Sequence, residues 1–262
     1  MVVFAPTHDA IASSGWEAFK RGEFYEARSA GRTQGDAEGL SLACRAGLVL
    51  GGFTETDEAA IRSLHGAIRD CDKALKLVPE HYFAKMSLAI ALSFEGKRLK
   101  RPSYPARARS YLLELIEAEP NNPLGYGALG AWHSEVSAAG FFARITLGAR
   151  RKKASLNFEQ ALLLGGTDYA LRFEHVKFLA RGNKADRKKA LDLAQSLLKN
   201  DTDMAFDLLL KRRCSQLVEA LKLDNKRVVR AAVAKAAAFQ NAIPEREMSR
   251  FPLDDLIPVK TK

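Results

Sequence analysis

The chain has 262 residues, 47% of them hydrophobic and 27% charged, which is too apolar for disorder and long for one compact core. Its net charge of +10 is uneven: residues 1–94 carry 10 Lys and Arg against 12 Asp and Glu, whereas residues 95–262 carry 31 against 19. The basic later part favours acidic partners or an anionic surface, and no run approaches the roughly 18–20 apolar residues of a membrane span.

The N-terminus has no basic n-region with a long apolar stretch behind it, and no Arg-rich amphipathic character, so a cytoplasmic location is expected. Cys44, Cys71 and Cys214 are odd in number and widely spaced. Each sits in a helical apolar pattern. They are expected to be small buried thiols in a reducing compartment, not a disulfide framework or a zinc site.

Leu and Ala dominate, with Lys, Arg and Glu between them, and strand-length runs of Val, Ile and Thr are scarce. Helices are therefore expected throughout. In chain order, Trp16 and Phe19 lie on one helical face, and Gly22 to Ala27 forms a turn that opens a second helix. Asp36 can cap a helix running to about Leu50, which Gly51-Gly52 ends. A helix from about Asp57 reaches Val78. Pro79 and Pro120 each close one hairpin and start the next, because proline cannot continue a helix. Gly165-Gly166 is a further helix stop. After Asp201 an amphipathic helix runs to about Leu223, and Asp224 can cap a last Ala-rich helix to about Ala242. Pro244, Pro252 and Pro258 mark an irregular tail over residues 243–262.

A spacing recurs along this series. Ala67, Cys71, Ala74 and Pro79 repeat as Ala108, Leu112, Leu115 and Pro120. Ala154, Phe158 and Ala161 repeat it without the proline, and Ala190, Ala194 and Leu197 form a fourth copy. Tyr126, Leu129, Gly130 and His133 fit the first-helix pattern W-x2-L-G-x2-Y, in which a small residue lets two helices approach closely. The Ala-to-Ala intervals are 41, 46 and 36 residues, against a period of about 34 for this kind of repeat. The surplus predicts insertions within hairpins, at residues 97–103 and at about residues 139–150.

These residues make the chain resemble tetratricopeptide repeat proteins, over roughly Ala67 to Leu198 and, in more degenerate form, Trp16 to Phe53. The segment from Leu124 to Leu179 is similar to uncharacterised bacterial members and, more distantly, to the regulator of microtubule dynamics family. The resemblance implies an all-α fold: a right-handed α-solenoid of about six stacked antiparallel hairpins over residues 1–242. It brings no catalytic residues, and the microtubule role is not implied.

In that family the first helix of each hairpin lines a concave groove. The register set by Pro79 and Pro120 predicts a partner-binding groove of Phe83, Met86, Ile90, Leu124, Ala131, Glu135, Phe173 and Lys177. It would suit an amphipathic helix or apolar peptide, or pack on the chain's own tail. The Lys, Arg and Asn clamp with which some members grip a terminal carboxylate is replaced here by Met86, Ser87, Gly127, Ala128 and Ala131. Basic clusters containing Arg98, Arg101, Arg151, Lys152, Lys153, Arg187 and Lys188 fall at loops or helix starts in successive hairpins. They read as a solvated face, or as one basic stripe for an acidic protein, an anionic lipid or nucleic acid. Nucleic acid is the weakest of these readings, because no stacking aromatics interleave.

His133, with Glu135 near it and His81 and His175 in neighbouring hairpins, is expected to be a packing histidine rather than a ligand or base. The apolar segment 138–148 beside the basic run 150–153 could touch a membrane interface or pack on the next repeat. No phosphate loop, nucleophile elbow or metal motif is present. The sequence thus predicts a non-enzymatic scaffold without metal or cofactor, holding a protein or peptide, with a basic solenoid on an anionic surface as the alternative.

Overall fold

Helix-favouring composition and frequent capping residues give an all-helical chain. The computed structural model describes residues 8–240 and 242, with side chains from residue 14. The proline-rich tail over residues 243–262 lies outside the described residues. Among the described residues there are thirteen α-helices and no strand. They are α1 (His8–Arg21), α2 (Phe24–Gln34), α3 (Ala37–Val49), α4 (Asp57–Leu77), α5 (Tyr82–Leu99), α6 (Ser103–Ala118) and α7 (Pro123–Ala138). Then follow α8 (Phe141–Thr146), α9 (Arg151–Leu163), α10 (Tyr169–Ala180), α11 (Lys184–Leu198), α12 (Ala205–Lys222) and α13 (Lys226–Ala236).

Side-chain caps explain six of the starts, those of α3, α5, α7, α10, α11 and α13. Asp36 accepts from the Gly39 N–H at the start of α3. Asn122 caps α7 ahead of Pro123 at the first helical position, where its missing N–H costs nothing. Asp168 accepts from Leu171 N–H, and Asn183 with Asp186 forms a reciprocal capping box. Two expectations are corrected. Asn225, not Asp224, caps α13, accepting from Arg227 and Val228. Asp224 instead takes the Arg187 guanidinium at 2.8 Å, and α13 ends at Ala236 rather than near Ala242. Likewise Gly51-Gly52 does not stop the helix. Helix α3 ends at Val49, but the chain continues to coil through a π-helical turn, Leu50–Thr54, and α4 comes so close there that a Cβ on Gly51 would meet the Ala60 carbonyl oxygen at 2.6 Å.

Helices pack in neighbouring pairs: α1 with α2, α3 with α4, α5 with α6, α7 with α9, α10 with α11, α12 with α13. The repeated small-and-large spacing is what seats them. A Cβ on Gly130 of α7 would lie 3.1 Å from the Phe158 ring of α9, so the bare glycine admits a wholly buried phenylalanine. Cys44 and Cys71 join α3 to α4 by a disulfide. This overturns the expectation of free thiols. Their wide spacing hid the pairing, because the α3–α4 turn returns the chain and brings their Cα atoms to 5.4 Å. Cys214 alone is free, and buried.

The insertion at residues 97–103 lies where expected: α5 runs on to Leu99, Lys100 turns with φ 51°, and α6 starts at Ser103. The second insertion forms α8.

The first members of the pairs also touch in succession, α1 to α3, α3 to α5, α5 to α7, α7 to α10 and α10 to α12. Helix α12 then returns to α1. Met204, Ala205, Phe206 and Leu209 pack onto a core of Phe19, Leu42 and Leu50. Phe53 meets Phe206 edge-on at 5.3 Å, with Arg213 stacked 4.2 Å from the Phe53 ring. The segment after α13 crosses to the early helices, where the Phe239 N–H donates to Gly52 O at 3.0 Å and its ring meets Phe94 at 4.8 Å. Arg213 ties this crossing down through the carbonyls of Ala236 and Ala237.

Candidate interaction surfaces

Helix α5 carries the first part of the expected groove. Its buried face, with Ala84, Leu88, Ala89 and Leu92, enters the main core. Phe83 and Ile90 stay outside it, 41% and 38% exposed, with Met86 half-buried between them. The spacing i, i+3, i+7 puts all three on one helical face. The Phe83 ring lies 5.4 Å from the Arg45 guanidinium, which also stacks on Trp16 and Phe19. Desolvation holds the Arg45 pKa below its ordinary value, a cost that contact with three aromatic faces offsets.

Glu135 on α7 forms the other end of this face. Arg181, just after α10, bridges to Glu135 and to Ser134, and Lys97 of α5 lies 3.8 Å from the same carboxylate. Burial would raise the Glu135 pKa, but Arg181, Lys177 and Lys97 outweigh it and hold the carboxyl below its usual range. Leu124 is half-buried, and Ala131 packs against the Phe158 cluster.

Phe173 and Lys177 are placed differently from the groove register. Phe173 is 1% exposed, inside a core with Tyr169, Val176 and Ala190. Lys177 is 4% exposed and paired with Glu174 at 2.5 Å. Counted from the N-caps the register is the same, since Phe173 and Lys177 stand after Asp168 as Met86 and Ile90 stand after His81; the difference is that α11, α12 and α13 all pack on α10 and close over this face. Arg181, which the sequence reading missed, carries no spacing signal; only its contacts reveal it.

The basic clusters do not form one stripe. The Arg98 side chain is 6% exposed and bound to buried Glu95. Arg187 is 12% exposed and held by Asp224. Arg151 pairs with Asp186 at 3.0 Å and stacks 4.3 Å from the Phe178 ring. Lys152, Lys153 and Lys188 are exposed, and so is Arg101.

Helix α8 does not pack on the next repeat. None of its residues is buried, and Phe141, Phe142 and Ile145 are 60%, 84% and 61% exposed. Only Ala143 and Leu147 touch the main core. A cleft of about 410 Å³ lies beneath it, lined by Arg144, Ile145, Gly148, Ala149, Arg150 and Arg151. A second cleft, of about 400 Å³, lies along α2 between Tyr25, Arg28 and Arg32, whose cations bond to Ser63 and Asp70.

The histidines are packing residues. His133 is 2% exposed, edge-on to Trp132 at 4.9 Å. Burial, then the charges of Lys153 and Arg109, push its pKa down to about 4. His175 stacks on Phe158 at 4.9 Å, and burial pushes it likewise to about 4. The sequence reading did not find the buried cluster of His65, Glu95 and Arg98, in which the carboxylate accepts from both partners. The i, i+3 spacing of Glu95 and Arg98 was its only signal. It joins α4 to α5, and it lines neither of the two clefts. Among the described residues no group of three His, Cys, Asp or Glu is placed to hold a metal ion.

No protein-family model matches the chain, and no curated protein matches it.

Proposed function

We propose that the chain is a non-enzymatic interaction scaffold of the tetratricopeptide type, a right-handed α-solenoid of about six hairpins whose first helices hold a peptide or helix of another protein. The observation that carries this reading is the pair of exposed residues Phe83 and Ile90 on one face of α5, with half-buried Met86 between them. Exposed apolar residues at helical spacing are what an amphipathic partner helix needs. The groove proposed is shorter than the eight residues expected, because Phe173 and Lys177 belong to the interior.

The test is capture of partners from the native host by the wild-type chain and by Phe83→Asp/Ile90→Asp. Both side chains are exposed, so the double variant should keep the helical circular dichroism of the wild type. Loss of the captured protein supports the assignment; undiminished capture removes it. The buried Cys44–Cys71 bond supports an oxidising compartment for the chain in place of the cytoplasm expected from cysteine spacing.

A further inference from the structure

We infer that α8 and the basic run after it form a docking site for an anionic lipid bilayer, separate from the α5 stripe. Three observations meet there. First, α8 places the rings of Phe141 and Phe142, and Ile145 one turn on, in solvent; Phe142 is 84% exposed. Large apolar groups so exposed mark a surface that another phase or partner covers.

Second, cations flank this apolar tip along the chain. Arg144, Arg150, Arg151, Lys152 and Lys153 all lie within residues 136–158, a stretch without a single Asp or Glu. Arg151 is paired with Asp186, whereas Arg150, Lys152 and Lys153 form no ion pair among the described residues. Third, the cleft between Ile145 and the guanidinium-bearing residues Arg144, Arg150 and Arg151 opens directly beside the apolar residues. An apolar tip with cations and a basic cleft next to it matches the layering of a membrane interface, with acyl chains beyond and phosphates at the level of the basic groups.

The shape favours a bilayer over a protein. Gly140 and Gly148, with φ 130° and 64°, bracket the helix, and a Cβ on either would meet nothing within 4 Å. With no residue of α8 buried, the element presents its apolar side chains outward instead of enclosing a partner in a groove. An exposed pair of phenylalanines needs a deformable apolar medium or a preformed pocket. The uncompensated charge flanking it is of the sign that anionic headgroups attract.

The test is co-sedimentation of the full chain with vesicles of phosphatidylcholine and phosphatidylglycerol, and with phosphatidylcholine alone. Binding to the mixed vesicles only is expected, weakening as salt rises. Phe141→Ser/Phe142→Ser should lower the partition coefficient by at least about tenfold, and Arg150→Glu/Lys152→Glu/Lys153→Glu should do the same. These side chains are exposed, so circular dichroism and melting should stay as in the wild type. Failure to bind mixed vesicles at low salt overturns the inference. So does binding that survives the phenylalanine substitutions, which would be adsorption of charge alone. Binding to polyglutamate that persists in the phenylalanine variant, with no vesicle binding, assigns the cations to an acidic protein and equally overturns it.

Discussion

Acidification should destabilise this protein through two histidines well before its carboxylates protonate. His133 and His175 are neutral in the folded chain, each with a pKa pushed to about 4 by burial, whereas an unfolded histidine titrates near 6.5. A depressed histidine costs nothing above the unfolded value. As pH falls below it, the unfolded chain binds a proton that the folded chain refuses, so stability declines between about pH 6.5 and 4. Linkage gives about 2 kcal/mol lost per fully buried histidine between pH 8 and 5. His133, at 2% exposure, should approach that figure, and the less enclosed His175 should fall below it. Glu95 and Glu135, whose pKa values are lowered by their cationic partners against the effect of burial, act lower on the scale. Their stabilisation is present above the ordinary carboxylate pKa and lost only below it. Urea unfolding at pH 8 and pH 5 should show the wild type losing roughly 2–4 kcal/mol more than His133→Gln/His175→Gln. An equal loss in both proteins would refute the assignment of neutral buried histidines.

Two further outcomes follow from packing. Gly130→Val puts branched carbon where a Cβ already meets the Phe158 ring at 3.1 Å; thermal or urea unfolding should show a loss of roughly 1–3 kcal/mol, whereas a neutral effect would mean that the α7–α9 contact is looser than described. The Cys44–Cys71 bond closes a loop of sequence separation 27, for which loop entropy predicts about 3–4 kcal/mol of stabilisation. Cys44→Ala/Cys71→Ala should therefore unfold at lower urea, and alkylation under denaturing, non-reducing conditions should label Cys214 alone in the wild type.

Much of the helical order was legible because its causes are local. Asp36 and the Pro120-to-Pro123 junction act within a turn of where they stand, and Gly130 against Phe158 follows from a spacing that recurs. What was not legible depends on residues far apart in the chain. The return of α12 onto α1 rests on Phe206 meeting Phe53 and on Phe239 crossing to Gly52, and no periodicity announces such pairs. The groove register failed at Phe173 although it stands after the Asp168 cap as Met86 stands after His81, because α11, α12 and α13 close over that face of α10, and no spacing along the chain announces which face later helices will cover. The basic stripe failed for a different reason. Sequence shows cations, but not the carboxylates of Glu95, Asp186 and Asp224 that fold against them.

The central claim is that a partner is held on the α5 face. Site-specific photo-crosslinking in the native host tests it most directly, with a photoreactive phenylalanine analogue at position 83, at position 90 and, as control, at Leu163 of α9, which is 82% exposed. The account predicts one common protein adduct from positions 83 and 90 and none from 163. Adducts absent from 83 and 90, or the same at all three positions, would contradict it.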